Sequence, residues 1–286
     1  MAVEILLAKE MGFCWGVRRA IGIMEKAASE RGQIISLGPI VHNPQVVAAL
    51  AEKGVQVASS IDGVSGTAVA IGAHGVGPKV LEEAKAKGLD IIDTTCPIVT
   101  RSQRWAKKMA EDGFTVIVYG DADHREVKGV LGWAEGKGTA LAEEDVHSLP
   151  QELLSRVAII PQTTQSPPRF AAFVGRLLRE RLAEISELQV INTLCNVTAS
   201  QQAEARELAQ QVELMLVIGG HNSANSRHLA EVCREVGVET HHIETAAELE
   251  GQWLIGRERV GVTAGASTPD WAVEEVVRCM RELAPR

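Results

Sequence analysis

The segments Ile92-Asp93-Thr94-Thr95-Cys96 and Ile191-Asn192-Thr193-Leu194-Cys195 lie 99 residues apart and open two copies of one pattern. A helical stretch follows each cysteine, then an apolar strand, Val116–Tyr119 or Met215–Ile218, that runs into Gly120 or Gly219. Cys14 begins a third copy. Gly38, Gly120 and Gly219 each stand 24 residues after their cysteine, and His42, His124 and Ser223 stand four residues further on. A repeat of this length constrains the fold more than any composition does, because each copy must be one supersecondary unit.

The second half of each copy repeats as well. A helix, placed at Pro44–Lys53 and Ser226–Val236 in the outer copies, leads to the strands Ala68–Ile71, Val157–Ile160 and Val260–Thr263. These run into Gly72-Ala73-His74, Pro161-Gln162-Thr163 and Gly265-Ala266-Ser267. The third copy ends in the helix Pro269–Leu283, with Pro269 expected in its first turn, and borrows its closing strand, Ile5–Ala8, from the N-terminus. Strands alternating with helices predict right-handed βαβ units and parallel sheets. The expected fold is α/β, with three pseudo-symmetric lobes: residues 10–95, 96–194, and 195–286 with the strand segment 1–9. Aromatic residues are only 3% of the chain, so Val, Ile, Leu and Ala must fill cores of the kind parallel strands demand.

Ligands of parallel sheets bind beyond the carboxyl ends of the strands. Nine groups are placed at such ends: Cys14, His42 and His74 in the first lobe, Cys96, His124 and Thr163 in the second, and Cys195, Ser223 and Ser267 in the third. If the lobes pack about an axis with those ends inward, the nine meet at one centre. Each cysteine also precedes a helix, whose N-terminus favours thiolate. Three thiolates suit zinc with an open position or an iron–sulfur cluster with one iron lacking a protein ligand.

The five cysteines are odd in number and no secretory signal is legible at Met1-Ala2-Val3-Glu4, so metal or redox chemistry in a reducing cytoplasm is expected. Cys233 and Cys279 fall inside amphipathic helical patterns and are read as inert. His147, His228, His241 and His242 are expected on the surface or in loops, and His221 in a site loop, residues 219–225. Glu126, beside His124, is a candidate proton donor. Ser223, Asn225 and Ser267 supply neutral donors near helix starts, which suits a phosphate or diphosphate. The net charge of −8 and the absence of a basic stripe argue against nucleic acid, since Arg176, Arg179 and Arg181 belong to mixed helical faces. No apolar run reaches the roughly 20 residues of a membrane span.

Eight segments together resemble the LytB/IspH family, the 4-hydroxy-3-methylbut-2-enyl diphosphate reductases of the non-mevalonate isoprenoid pathway. They are Gly12-Phe13-Cys14-Trp15-Gly16-Val17, Val41-His42-Asn43, Ala73-His74-Gly75-Val76, Thr95-Cys96-Pro97, His124-Arg125-Glu126-Val127, Gln162-Thr163-Thr164, Asn222–Ser226 and Gly261–Ser267. The resemblance implies one [4Fe–4S] cluster per chain on Cys14, Cys96 and Cys195, at the centre of the three lobes, with one iron free for substrate. It implies that two electrons and two protons remove the substrate hydroxyl as water, giving isopentenyl and dimethylallyl diphosphate. Glu126 would deliver protons, with His124 and Thr163 in its relay. His42, His74, His124, Thr163, Ser223, Ala224, Asn225 and Ser267 would line the substrate site. A ferredoxin or flavodoxin would supply electrons.

Two positions depart from the family pattern. Ala224 stands where Ser is common, at a cost of about 0.5–1.5 kcal/mol for one neutral hydrogen bond, for which His221 is expected to compensate. Arg125 stands where Pro is usual, so the backbone before Glu126 is less restrained. The same open metal site would also suit a [4Fe–4S] or zinc hydro-lyase, or a cluster-based redox sensor. Dependence on an external reductant separates these from the reductase.

Overall fold

The structure, a computed structural model, describes residues 3–284. The expectations that involve residues 1, 2, 285 and 286 lie outside the described residues. The chain opens with β1 (Glu4–Leu7) and α1 (Trp15–Arg31). The first lobe continues with β2 (Ile34–Leu37), α2 (Pro44–Glu52), β3 (Val55–Ala58), β4 (Ala68–Ile71), α3 (Pro78–Ala86) and β5 (Asp90–Asp93). The second holds α4 (Pro97–Glu111), β6 (Thr115–Tyr119), α5 (Arg125–Trp133), β7 (Gly138–Leu141), β8 (Arg156–Pro161), α6 (Pro167–Arg181) and β9 (Glu187–Val190). The third holds α7 (Asn196–Ala209), β10 (Leu214–Ile218), α8 (Ala224–Val236), β11 (Glu239–Ile243), β12 (Arg259–Ala264) and α9 (Asp270–Leu283).

Each lobe carries one four-stranded sheet, ordered β3-β2-β4-β5, β7-β6-β8-β9 and β11-β10-β12-β1. All the pairings are parallel. The N-terminal strand closes the third sheet as the repeat requires, with Ile5 opposite Val260 and Leu7 opposite Val262. The edge strands β3, β7 and β11 were not foreseen. They are short and mixed in polarity, as in Val55-Gln56-Val57-Ala58 and Glu239-Thr240-His241-His242-Ile243, so they lack the apolar run that announces a buried strand.

The inner strands are the opposite case. Thr115–Tyr119 and Leu214–Ile218 read TVIVY and LMLVI, and apart from Thr115 their residues are buried. Both faces of each are covered, as a parallel sheet requires. On the second sheet, Ile117, Ile159, Phe173 and Leu177 form one layer, and Val116, Val118, Ala158 and Val130 form the other. On the third, Leu216, Ile218 and Val276 face one way while Met215, Val217 and Leu229 face the other. Aliphatic side chains dominate, and the few aromatics add stacking: the Tyr119 and Phe173 ring centroids are 4.5 Å apart.

By internal packing the chain forms two compact units, one of Met1–Arg18, Val41–Ala49 and Asn196–Arg286, the other of Arg19–Ile40 and Leu50–Cys195. The first unit contains the third sheet, and the second contains the first and second sheets together. Within the second unit the lobes abut through glycines. A Cβ on Gly132 of α5 would lie 2.9 Å from the Gly77 Cα at the start of α3. Only a residue without a side chain permits that approach.

Helix starts follow local chemistry. Pro78, Pro97 and Pro167 open α3, α4 and α6, where a missing N–H costs nothing. Ser223 caps α8 by accepting from the Ser226 N–H, and Gly237 closes that helix at φ 93°. Pro269 occupies the N-cap position of α9, one place before the expected first turn. None of the described helices is long and apolar enough to cross a membrane.

Substituting Gly132 with Val should destabilise the protein by about 1–3 kcal/mol through overpacking against Gly77. Urea denaturation should show this as a lower midpoint with an unchanged slope.

Candidate active site

The strand ends deliver the cysteines by one repeated device. The Cys96 N–H donates to the Ala73 carbonyl at 3.0 Å, Cys195 to Thr163 at 2.9 Å, and Cys14 to Ala266 at 3.1 Å. Each bond continues the parallel ladder past the formal end of the sheet, and a helix begins at the next residue. All three thiols are half-buried. The Cys14 Sγ accepts from the Val17 N–H at 3.4 Å, an interaction that favours thiolate. Cys233 differs: burial pushes its thiol up to about 12, so it stays protonated and inert as expected.

The same register corrects the repeat in its middle copy. Leu37 pairs with Ile71, Tyr119 with Pro161, and Ile218 with Ala264. Thr163 is therefore equivalent to Ala73 and Ala266, and Thr164, not Thr163, is the counterpart of His74 and Ser267. Thr163 owes its place in the site to a different feature, its contact with Glu126.

In the second unit, a continuous set of contacts joins Cys195 to Cys96. The Thr163 carbonyl holds the Cys195 N–H. The Thr163 N–H donates to Glu126 Oε1 at 2.6 Å, and its hydroxyl donates to Oε2 at 2.9 Å. The Glu126 N–H donates to His124 Nδ1 at 3.2 Å, which makes His124 the side-chain cap of α5. With Nδ1 accepting, the hydrogen of a neutral His124 sits on Nε2. The His124 and His74 rings meet edge to face at 5.5 Å between centroids. The Ala73 carbonyl, one residue before His74, then holds Cys96.

Glu126 is 2% exposed. Burial raises its carboxyl from 4.5 to about 7, against the two Thr163 bonds, which favour the charged form. Such a group holds its proton near neutrality and can release it there. Arg125 stands between His124 and Glu126 without a proline's restraint on the backbone. The His124 cap fixes the first turn, and the Arg125 guanidinium fills the space that a side chain on Gly38 would need.

The first unit gathers the other polar residues. Ser223, Ala224 and Asn225 are buried at the start of α8. Asn225 donates one Nδ2 hydrogen to Gln201 Oε1 at 3.4 Å and keeps the other. The Ser267 hydroxyl donates to the His42 carbonyl at 3.3 Å. First-turn N–H groups with neutral donors beside them form a place for an anion.

His221, expected to compensate for Ala224, is engaged elsewhere. It is exposed, and its Nε2 pairs with Glu248 at 2.8 Å. His241 and His242 are on β11, not in a loop, and His242 reaches inward to the Gly219 carbonyl at 2.9 Å. Sequence reasoning missed His242 because β11 itself was not legible.

Set against known proteins, the chain matches the family model described as LytB protein over residues 5–281. A protein of Dehalococcoides mccartyi strain CBDB1 named 4-hydroxy-3-methylbut-2-enyl diphosphate reductase is 48% identical over 283 residues, covering 99% of each chain. One of the same name from Geobacter sulfurreducens is 45% identical, covering 98% of each. A solved structure of (E)-4-hydroxy-3-methyl-but-2-enyl diphosphate reductase, titled the terminal enzyme of the non-mevalonate pathway, superposes with a TM-score of 0.69 at 39% identity over 98% of this chain and 99% of that one. The Plasmodium falciparum E-1-hydroxy-2-methyl-but-2-enyl-4-diphosphate reductase gives 0.89 at 26% identity over 97% and 88%.

The raised Glu126 carboxyl has a signed consequence for stability. The folded state holds the proton more tightly than the unfolded chain, so stability falls as pH rises from about 4.5 to about 7. Replacing Glu126 with Gln removes that loss. The stability advantage of Glu126→Gln over wild type should grow by about 3 kcal/mol between about pH 4 and about pH 8, measured by chemical denaturation.

Proposed function

The chain belongs to the LytB family, and from that premise we propose that it reduces 4-hydroxy-3-methylbut-2-enyl diphosphate to isopentenyl and dimethylallyl diphosphate. The observation that carries the reading is the buried Glu126 carboxyl, poised near 7 and held by Thr163 between the segments that bear Cys96 and Cys195. The reaction breaks the allylic C–O bond, consumes two electrons and two protons, and releases water. A proton source shielded from solvent is what it asks of the protein.

Cys14, Cys96 and Cys195 are proposed to hold one [4Fe–4S] cluster with one iron free of protein ligands. The donor set fits: three half-buried thiols, each just before a helix, one already accepting a backbone N–H. Thiolate is the form that ligates iron. When bound, the cluster supplies electrons and a Lewis acid. Everything else is work for side chains.

Glu126 is proposed to deliver protons to the reacting end of the substrate. Thr163 orients its two oxygens, and the Nε2 hydrogen of His124 extends the relay. His42, His74, Ser223, Asn225 and Ser267 are proposed to bind the diphosphate, with Ala224 contributing its N–H. Burial of Ser223, Asn225 and Ser267 keeps water from competing for their donors. The lobes are proposed to run 10–95, 96–194, and 195–286 with 1–9. A reducing cytoplasmic setting, with a ferredoxin or flavodoxin as electron donor, is proposed from the family resemblance.

The test is anaerobic turnover of the reconstituted protein. Oxidation of a reduced viologen dye should depend on added 4-hydroxy-3-methylbut-2-enyl diphosphate and vanish in Cys96→Ser. An intact cluster without substrate-dependent oxidation would replace the reductase by a hydro-lyase or a sensor. Glu126→Gln should keep the cluster spectrum and lose about 100-fold or more in kcat. Wild-type kcat should decline above about pH 7, where Glu126 ionises.

A further inference from the structure

The loop 219–223 leads from β10 into the capped start of α8, and the edge strand β11 braces it from behind. Gly219 is held at both its N–H and its carbonyl by consecutive residues of that strand. Its N–H donates to the Ile243 carbonyl at 2.9 Å, and its carbonyl accepts from His242 Nε2 at 2.9 Å. The turn after β11 adds a second anchor, where Glu244 Oε1 accepts from the His221 N–H at 3.1 Å. Gln45, three residues after His42, donates to the Glu244 carbonyl at 3.2 Å.

What this bracing controls follows from the two glycines. A Cβ on Gly219 would lie 3.0 Å from both Ser226 Cβ and Thr268 Oγ1, and still nearer the Ser226 hydroxyl. A Cβ on Gly220 would lie 2.7 Å from the His42 carbonyl, the group that accepts from Ser267. The path of Gly219-Gly220 therefore touches both the first turn of α8 and the segment that presents His42 and Ser267. A rotation of the Gly219 peptide would disturb several proposed diphosphate contacts together.

We propose that His242 is a positioning residue for the diphosphate, fixing the Gly219 peptide and, through it, the relative placement of His42, Ser223 and Ser267. This rests on the proposed reading of those residues as the diphosphate site. The ring must donate through Nε2, so it acts as the neutral Nε2–H tautomer or the cation. Burial disfavours the cation, while the bond to Gly219 opposes that effect. His221, whose ring centroid is 4.9 Å from that of His242, leans instead on Glu248. His242 touches no reacting atom in this scheme. It should act on binding and not on chemistry.

The experiment compares wild type, His242→Ala and His242→Gln as reconstituted enzymes, in viologen-linked turnover and in competitive inhibition by inorganic pyrophosphate. His242→Ala should raise KM and the pyrophosphate inhibition constant together by about tenfold, with kcat falling less than about threefold. His242→Gln places a donor at the same reach and should recover most of that loss. Glu244→Leu, which releases the other anchor, should raise the same two constants and keeps the idea testable if His242→Ala fails to fold. Unchanged constants in the folded variants, or a Gln variant no better than Ala, would overturn the positioning role. Wild type that turns over without inhibition by pyrophosphate would overturn the diphosphate reading itself, and this inference with it.

Discussion

One backbone hydrogen bond, made once in each lobe, underlies the rest. A cysteine just past the last strand donates its N–H to the carbonyl that follows the neighbouring strand: Ala73, Thr163 or Ala266. Two atoms away, the same cysteine's carbonyl already serves the next helix, as Arg18 and Thr100 show by donating to Cys14 and Cys96. The residue is pinned between a ladder and a helix. Its side chain therefore stands at the carboxyl edge of a parallel sheet, where peptide groups leave room for ligands. Every other feature of the candidate site is placed relative to that edge.

Glu126 shows how the same edge sets chemistry. The exposed carboxylates of this protein find cations at the surface, as Glu187 does with Arg156 and Glu235 with Arg206. Such pairs contribute little and shift with salt. Among the described residues, Glu126 instead receives neutral donors, the N–H and hydroxyl of one threonine. Two bonds favour its anion, desolvation opposes it, and desolvation wins. A guanidinium in place of Thr163 would hold the carboxyl ionised near neutrality. Keeping charge away is thus as much a part of the site as bringing the carboxyl in.

The sequence made these features legible unevenly, for physical reasons. Inner strands such as Leu214–Ile218 and the cysteines beyond the outer ones were readable because burial on both faces leaves an apolar run and repetition fixes the spacing. The edge strands were not, since one side of each meets solvent and Gln56 or His241 can sit there freely. Thr163 was named for a register it does not hold. Counting from the glycine after the strand cannot see that Pro161 is still paired with Tyr119. His242 was invisible for a related reason: its contact with Gly219 depends on β11 lying beside β10, and nothing local to residues 239–243 announces that pairing.

Positions 224 and 125 separate what the backbone supplies from what side chains supply. Ala224 offers no side-chain donor in the first turn of α8, but the N–H groups of that turn lie outside the intrahelical ladder in any sequence. Backbone donors do not depend on side-chain identity, so an anion held mainly by them would not depend on the residue at 224. At Arg125 the first turn of α5 is fixed by the His124 cap, whose ring accepts from the Glu126 N–H. In both places the backbone carries the site, and it does so only where its own path is fixed. That places the burden on groups such as Gly219 and Gly220, where close neighbours leave no room for a side chain, and on the few side chains that hold them there.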